Sequence, residues 1–251
     1  MSISNNEIKK VKSLQQKKFR DEEGLFIVEG EKMVSEAENS GFKVEKTYLR
    51  SDIGEDAMKR ISALANPSPV LAVVRKPEDI YVDDPDTLLG LLEKGGLFLA
   101  LDSIRDPGNL GTILRIADWF GIEAVFAAKD SVDVFNPKVV QATMGAVFRV
   151  KMHYVDLPEL SRLVLSLGGK IYGTFLDGEN IYGRHLDTGT DCPVLVVIGN
   201  ESDGISDEMA TLVSDRLFIP PYPADQPGSE SLNAAVATAV TIAEFRRRTE
   251  A

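Results

Sequence analysis

The chain has 251 residues, 43% hydrophobic and 27% charged, with a formal net charge of −11 at pH 7. That length accommodates one large or two modest domains, each with its own core. No apolar run approaches the roughly 18 residues of a membrane span, and the polar, basic stretch from Met1 to Arg20 lacks the apolar segment of a signal peptide. A cytoplasmic location without membrane contact is therefore expected. Cys192 has no partner for an internal disulfide, and with only His153 and His185 beside it no metal site is expected.

The acidic balance argues against a nucleic-acid partner unless charge is arranged locally. Lys9, Lys10, Lys12, Lys17, Lys18 and Arg20 face only Glu7 in their stretch, and Arg246, Arg247 and Arg248 form a second cluster. Each patch reads equally as a phosphate contact or as a solvated helix face and a cation-stabilised helix C-terminus.

In chain order, Ile8, Val11 and Leu14 repeat at helical spacing and Leu25 to Val28 reads as a buried strand. Glu31 to Asn39 is helix-like, with Gly41 suited to its C-terminal cap. Val44 to Leu49 and Val70 to Val74 are strand candidates, with a helix marked by Met58, Ile61 and Leu64 between them. These make residues 1–80 a small α/β domain. Residues 81–96, with Pro85, an acidic run and Gly95-Gly96 around a short helical Leu88 to Leu92, read as a linker.

From 97 to 251 strand and helix signals alternate. Leu97 to Leu101, Ala124 to Ala127, Ile171 to Phe175, Val194 to Ile198 and Arg216 to Ile219 read as strands. Asn109 to Phe120 reads as a helix, Asn136-Pro137 as a helix start, Ser206 as the cap of a short helix, and about Ser231 to Arg248 as a long last helix. Apolar strands separated by helices imply a mostly parallel sheet covered on both faces, with ligands at the carboxyl ends of its strands.

Three segments at those ends carry chemistry. In Asp102 to Arg115, Pro107 and Gly108 shape a tight turn, Asn109 is placed to cap the next helix, and Arg115 lies one turn after Gly111. A helix N-terminus with an arginine nearby suits phosphate; the competing reading is a surface pair between Arg115 and Asp118. In Ile198 to Ser206, Gly199 and Gly204 permit close backbone approach and Glu201 sets a carboxylate at a strand end, or the segment is simply an acidic turn. In the third, Ile219-Pro220 is followed by Ser231-Leu232-Asn233, where Ser231 or Asn233 caps an alanine-rich helix. Neither a dinucleotide fingerprint nor a Walker lysine is present, which disfavours a generic nucleotide-binding enzyme.

In order and content these loops resemble the three motifs of the SpoU (TrmH-like) family of the SPOUT RNA methyltransferases. Asn109-x-Gly111-x-x-x-Arg115-x-Ala117-x-x-Phe120-Gly121 resembles the first, Gly199-x-Glu201-x-x-Gly204 the second, and Ile219-Pro220 with Ser231-Leu232-Asn233 the third. Phe26-Ile-Val-Glu-Gly30 resembles the small RNA-binding domain that many members carry. The resemblance implies an α/β SPOUT domain with a deep trefoil knot, a homodimer, and transfer of a methyl group from S-adenosylmethionine to a ribose 2′-hydroxyl in rRNA or tRNA. It implies a reaction site of Arg115, Asn109, Glu201, Ser231 and Asn233. The cofactor is expected against Gly199, Ile219 and Leu232, with Thr174 as a further candidate. Arginine is essentially never neutral, so Arg115 is expected to hold phosphate and developing charge, and no other residue stands out as the base. The loop 220–230 is longer and richer in proline than the family pattern. The alternative is a non-catalytic RNA-binding or ribosome-assembly protein on the same scaffold.

Overall fold

The computed structural model describes residues 3–223 and 231–249. Two compact units divide the chain. One runs to Glu78 and takes in Asp133–Arg149; the other comprises Asp79–Val132 and the described chain from Val150 onward.

The first unit is built from α1 (Asn5–Ser13), α2 (Lys17–Glu23), β1 (Leu25–Glu29), α3 (Glu31–Glu38), β2 (Val44–Leu49), α4 (Arg50–Ile53), α5 (Glu55–Ile61) and β3 (Val70–Arg75). Its antiparallel sheet has the order β1-β3-β2. Ile8, Val11 and Leu14 reach a core with Ile27, Met58 and Leu71, as the helical spacing requires. Two boundaries differ from the sequence reading. Asn39, not Gly41, is the C-cap of α3, and α5 stops at Ile61 because Ser62 turns extended. The hydroxyl of Ser62 and the N–H of Ala63 both donate to the buried Glu29 carboxylate, at 2.6 and 2.7 Å. Burial nevertheless pushes that carboxyl above its usual range.

The second unit opens with α6 (Pro85–Leu92), β4 (Gly96–Leu101), α7 (Pro107–Trp119) and β5 (Val125–Ala128). After the segment that carries α8 (Pro137–Thr143), it continues as β6 (Met152–Val155), α9 (Leu157–Ser166), β7 (Lys170–Asn180), β8 (Pro193–Ile198), α10 (Asp207–Leu212), β9 (Asp215–Phe218) and α11 (Ala234–Thr249). All six strands are parallel, in the order β6-β5-β4-β8-β7-β9. Phe98, Ala100, Phe126, Leu195 and Val197 share a core with Leu88 and Leu92 of α6 and Leu160 and Val164 of α9. The alternate residues Leu97, Leu99 and Leu101 point to the opposite face and are buried there too. Strand β6 and helix α9 are additions to the sequence reading. The four residues of β6 include His153, which hides the apolar run, whereas Asp156-Leu-Pro-Glu159 carries a readable start signal for α9. No helix among the described residues is long and apolar enough to cross a membrane.

Ile80, Val82, Leu88 and Leu92 are buried in this second unit, so its structure takes in the stretch read as a linker. Conversely, Asp133–Arg149, inside the 97–251 stretch, belongs to the first unit. The reason is a buried ion pair and a cluster of rings. Arg20 donates through Nε and Nη2 to Asp133 Oδ2 at 2.9 and 2.5 Å, and through Nη1 to the Leu14 carbonyl at 2.9 Å. Phe135 lies 4.5 Å from Phe26 between ring centroids, and Phe148 meets Phe42 edge-on at 5.2 Å.

Candidate functional site

In the large sheet the chain runs outward from β4 through β5 to β6, then resumes on the other side of β4 with β7 and β8. The order therefore switches between β4 and β8. Connections leaving such a pair diverge and open a crevice at the carboxyl ends. Leu101 pairs with Ile198, so the loops that begin at Asp102 and Gly199 emerge side by side.

Asn200 ties these loops together. Its Nδ2 donates to the Ser103 carbonyl at 2.7 Å, while its Oδ1 accepts the N–H of Ser202 at 2.8 Å. Ser103 is held at φ 58°, a left-handed conformation that costs a non-glycine residue about 1 kcal/mol or more. The buried Asp102 accepts the N–H of Ser206 at 2.7 Å, so Ser206 is positioned through its main chain rather than capping α10 with its hydroxyl. A Cβ on Gly199 would lie 2.2 Å from the Gly204 carbonyl carbon. The second loop therefore closes on bare backbone.

Asp106, not Asn109, caps α7, accepting the Asn109 N–H at 2.8 Å. Freed from capping, the Asn109 side chain donates through Nδ2 to Glu201 Oε1 and accepts from Asn233 Nδ2 at 2.8 Å through its Oδ1. Asn233 in turn caps α11, its Oδ1 accepting the N–H groups of Ala235 and Val236 at 3.0 and 3.3 Å. One hydrogen-bonded chain thus joins the three loops.

Helices α7 and α11 pack together and run parallel. Asn109 and Asn233 meet at their N-terminal ends. At the other end Arg246 donates to the carbonyls of Phe120, at 2.7 Å, and Gly121. The arginine cluster is consumed structurally. Arg247 and Arg248 both bond Glu244, whose carboxyl is held below its usual range first by the hydrogen bond from Arg247. The N-terminal patch is mostly neutralised as well. Lys10, Lys17 and Lys18 pair with Glu23, Asp21 and Glu22, and Arg20 is buried, which leaves Lys9 and Lys12 exposed.

Of the other residues singled out, Arg115 is exposed on α7 and bonds no described residue, so the surface pair with Asp118 is not formed. Ser231 is exposed just before α11; Leu232 is 47% exposed there. Ile219 is half-buried just past β9, and Thr174 is half-buried within β7, which runs on to Asn180 instead of ending beside it. Most of loop 220–230 lies outside the described residues. No set of three or more His, Cys, Asp or Glu side chains placed to hold a metal occurs among the described residues. Asp106 and Asn200 went unassigned at the sequence level, although Asp106-Pro107 carries a helix-start signal.

The chain belongs to the SpoU rRNA methylase family, whose model matches residues 96–243, and a model described as an MRM3-like substrate binding domain matches residues 5–75. It is 29% identical to the 23S rRNA (guanosine(2553)-2′-O)-methyltransferase RlmP of Bacillus subtilis, covering 98% of each chain. A solved structure assigned to the TrmH family of RNA methyltransferases, from Porphyromonas gingivalis, is 37% identical with a TM-score of 0.82, covering 99% of this chain and 100% of that one. An AdoMet-bound rRNA methyltransferase from Sinorhizobium meliloti is 29% identical with a TM-score of 0.85, covering 99% and 97%.

Proposed function

We propose that this protein transfers a methyl group from S-adenosylmethionine to a ribose 2′-hydroxyl of rRNA or tRNA. The observation that carries the reading is the chain Asn233–Asn109–Glu201, which links all three signature loops at the switch point. The residues present fit the cofactor. Leu232 is about half uncovered and Ile219 and Thr174 less so, which leaves apolar and main-chain surface for a flat base. At Gly199 the loop folds onto its own backbone at Gly204, a close approach that a side chain there would block. Main chain at Gly199, Ile219 and Leu232, with Thr174, would hold it. When bound, S-adenosylmethionine supplies an electrophilic methyl carbon. Asn109 and Asn233 hold Glu201 in place, and Ser231 stands at the entry to α11. Arg115, unpaired with any described residue, takes a phosphate of the RNA and stabilises charge developing on the oxygen.

The test is incubation with methyl-labelled S-adenosylmethionine and total RNA from a strain lacking the protein. Label is expected in alkali-resistant 2′-O-methylated dinucleotides. Binding of S-adenosylhomocysteine without any transfer would point instead to a non-catalytic RNA-binding or ribosome-assembly role.

The same reading extends to a knotted second unit, a cytoplasmic location, recruitment of RNA by the first unit, and a homodimer. Thr112, Arg115 and Trp119 form one exposed stripe on α7, and Trp119 is 85% exposed. A tryptophan left this bare suits a second copy of the chain. Trp119→Glu is expected to weaken the dimer by about tenfold or more in sedimentation equilibrium, because burying a carboxylate there is costly. A variant that dimerises as tightly as the parent would remove α7 from the interface.

A further inference from the structure

The hydrogen-bonded chain at the site has a direction. Side-chain amides are normally ambiguous as to which end is oxygen and which nitrogen. Here the ambiguity is lifted from one end, because Asn233 Oδ1 accepts two main-chain N–H groups, those of Ala235 and Val236. Its Nδ2 must then donate, and it does so to Asn109 Oδ1 at 2.8 Å. That leaves Asn109 only its Nδ2 to present, which donates to Glu201 Oε1. Every link donates toward Glu201. The terminal group is thereby held as an acceptor through Oε1. Glu201 is exposed, and Oε1 alone is engaged among the described residues, so Oε2 is open.

Among the described residues that the three loops bring together, no other group is placed to accept the proton. Arg115 stays cationic. The amides of Asn109 and Asn233 are not basic, and a Ser231 hydroxyl would itself need a base. Asp106 is spent on the cap of α7, and Asp102 is buried against Ser206.

We infer that Glu201 is the catalytic base, taking the proton of the ribose 2′-hydroxyl at Oε2; the inference rests on the methyltransferase reading above. As the 2′-oxygen forms its bond to the methyl carbon, the carbon–sulfur bond breaks and its electron pair remains on sulfur. The carboxylate draws the proton away as that bond forms, far enough ahead of it that partial negative charge rests on the oxygen, where Arg115 meets it. Sulfonium and carboxylate become neutral thioether and neutral carboxylic acid, so charge and atoms balance, and Arg115 is never required to give up a proton.

Glu201→Gln keeps an acceptor for Asn109 and removes the basic oxygen. With rRNA from a deletion strain as substrate, it is expected to lower the single-turnover rate about a hundredfold or more, with S-adenosylhomocysteine affinity by calorimetry and rRNA affinity by filter binding each within about twofold of the parent. Glu201→Ala is expected to regain about tenfold or more of its lost rate on addition of formate but not of chloride, since a small carboxylate can occupy the vacated position. Asp203→Asn, a change in the same loop, is expected to leave the rate unaltered. The inference is overturned if Glu201→Gln methylates within about fivefold of the parent, if formate fails to rescue Glu201→Ala, or if the loss of rate is matched by a loss of rRNA affinity. Failure of the parent protein itself to label rRNA would instead sink the methyltransferase reading.

Discussion

Asp133→Ala is expected to lower the stability of the first unit by about 3–5 kcal/mol, among the largest effects available to a single substitution in this chain. The side chains of Arg20 and Asp133 are 2% and 5% exposed, so truncation leaves a guanidinium buried with only the Leu14 carbonyl to satisfy it. The lost carboxylate also abandons the Phe135 N–H, which it accepts at 3.0 Å. That residue places the ring packed on Phe26, so the penalty extends to the aromatic cluster. Replacing both partners, as Arg20→Met with Asp133→Leu, is expected to recover most of the loss, because no orphaned charge remains. Urea denaturation monitored in the first unit decides it. A single-mutant loss under about 1 kcal/mol would mean that water reaches Arg20 and that the pair behaves as a surface bridge.

This pair illustrates what a sequence withholds. Arg20 reads as one more member of a basic patch, and nothing near it in the chain announces a partner 113 residues away. The same limit explains why 133–149 reads as part of the large domain. Its helix-start signal at Asn136-Pro137 and its clustered apolar residues indicate regular structure but not which core they join. The large sheet was more legible. The runs at Leu97 to Leu101 and Val194 to Ile198 are buried along their whole length, and only a strand covered on both faces tolerates such a run.

The site was legible as a set of loops but not as a mechanism. Asn109, Glu201 and Asn233 lie far apart in the chain, and the structure brings them into one hydrogen-bonded chain. Its direction depends on which residue caps which helix. Asn109 looks like a cap because it follows Pro107-Gly108, yet Asp106 already fills that position, and a shift of three residues turns a local capping group into a link between loops. The arginines at the end of α11 teach the converse. A basic cluster on an acidic protein invites assignment to phosphate, but Arg246 is committed to the carbonyls at the end of α7, and Arg247 and Arg248 to Glu244. Charge free to meet RNA has to be sought among cations without such partners.

Arg115 is such a cation, and its removal is expected to cost the reaction on the order of 3 kcal/mol, about a hundredfold in rate. It stands on the exposed stripe of α7, two turns from the Asn109 that anchors Glu201, and bonds no described residue. A long side chain left without a partner contributes little to folding, so Arg115→Ala is expected to unfold at the parent's temperature. It should also bind S-adenosylhomocysteine as the parent does, because the residues proposed to hold the cofactor lie on other loops. The loss should fall on single-turnover methylation, the step in which the guanidinium is proposed to meet a phosphate and the charge developing on the ribose oxygen. Arg115→Lys is expected to restore only part of the rate, since an ammonium offers a point charge in place of a planar fork of donors. If Glu201 takes the proton, formate, which rescues Glu201→Ala, should do nothing for Arg115→Ala, separating the residue that holds charge from the one that removes it. Near-parental turnover by a folded Arg115→Ala protein would leave Arg115 as a solvated surface cation and transfer the task of holding the phosphate to another residue.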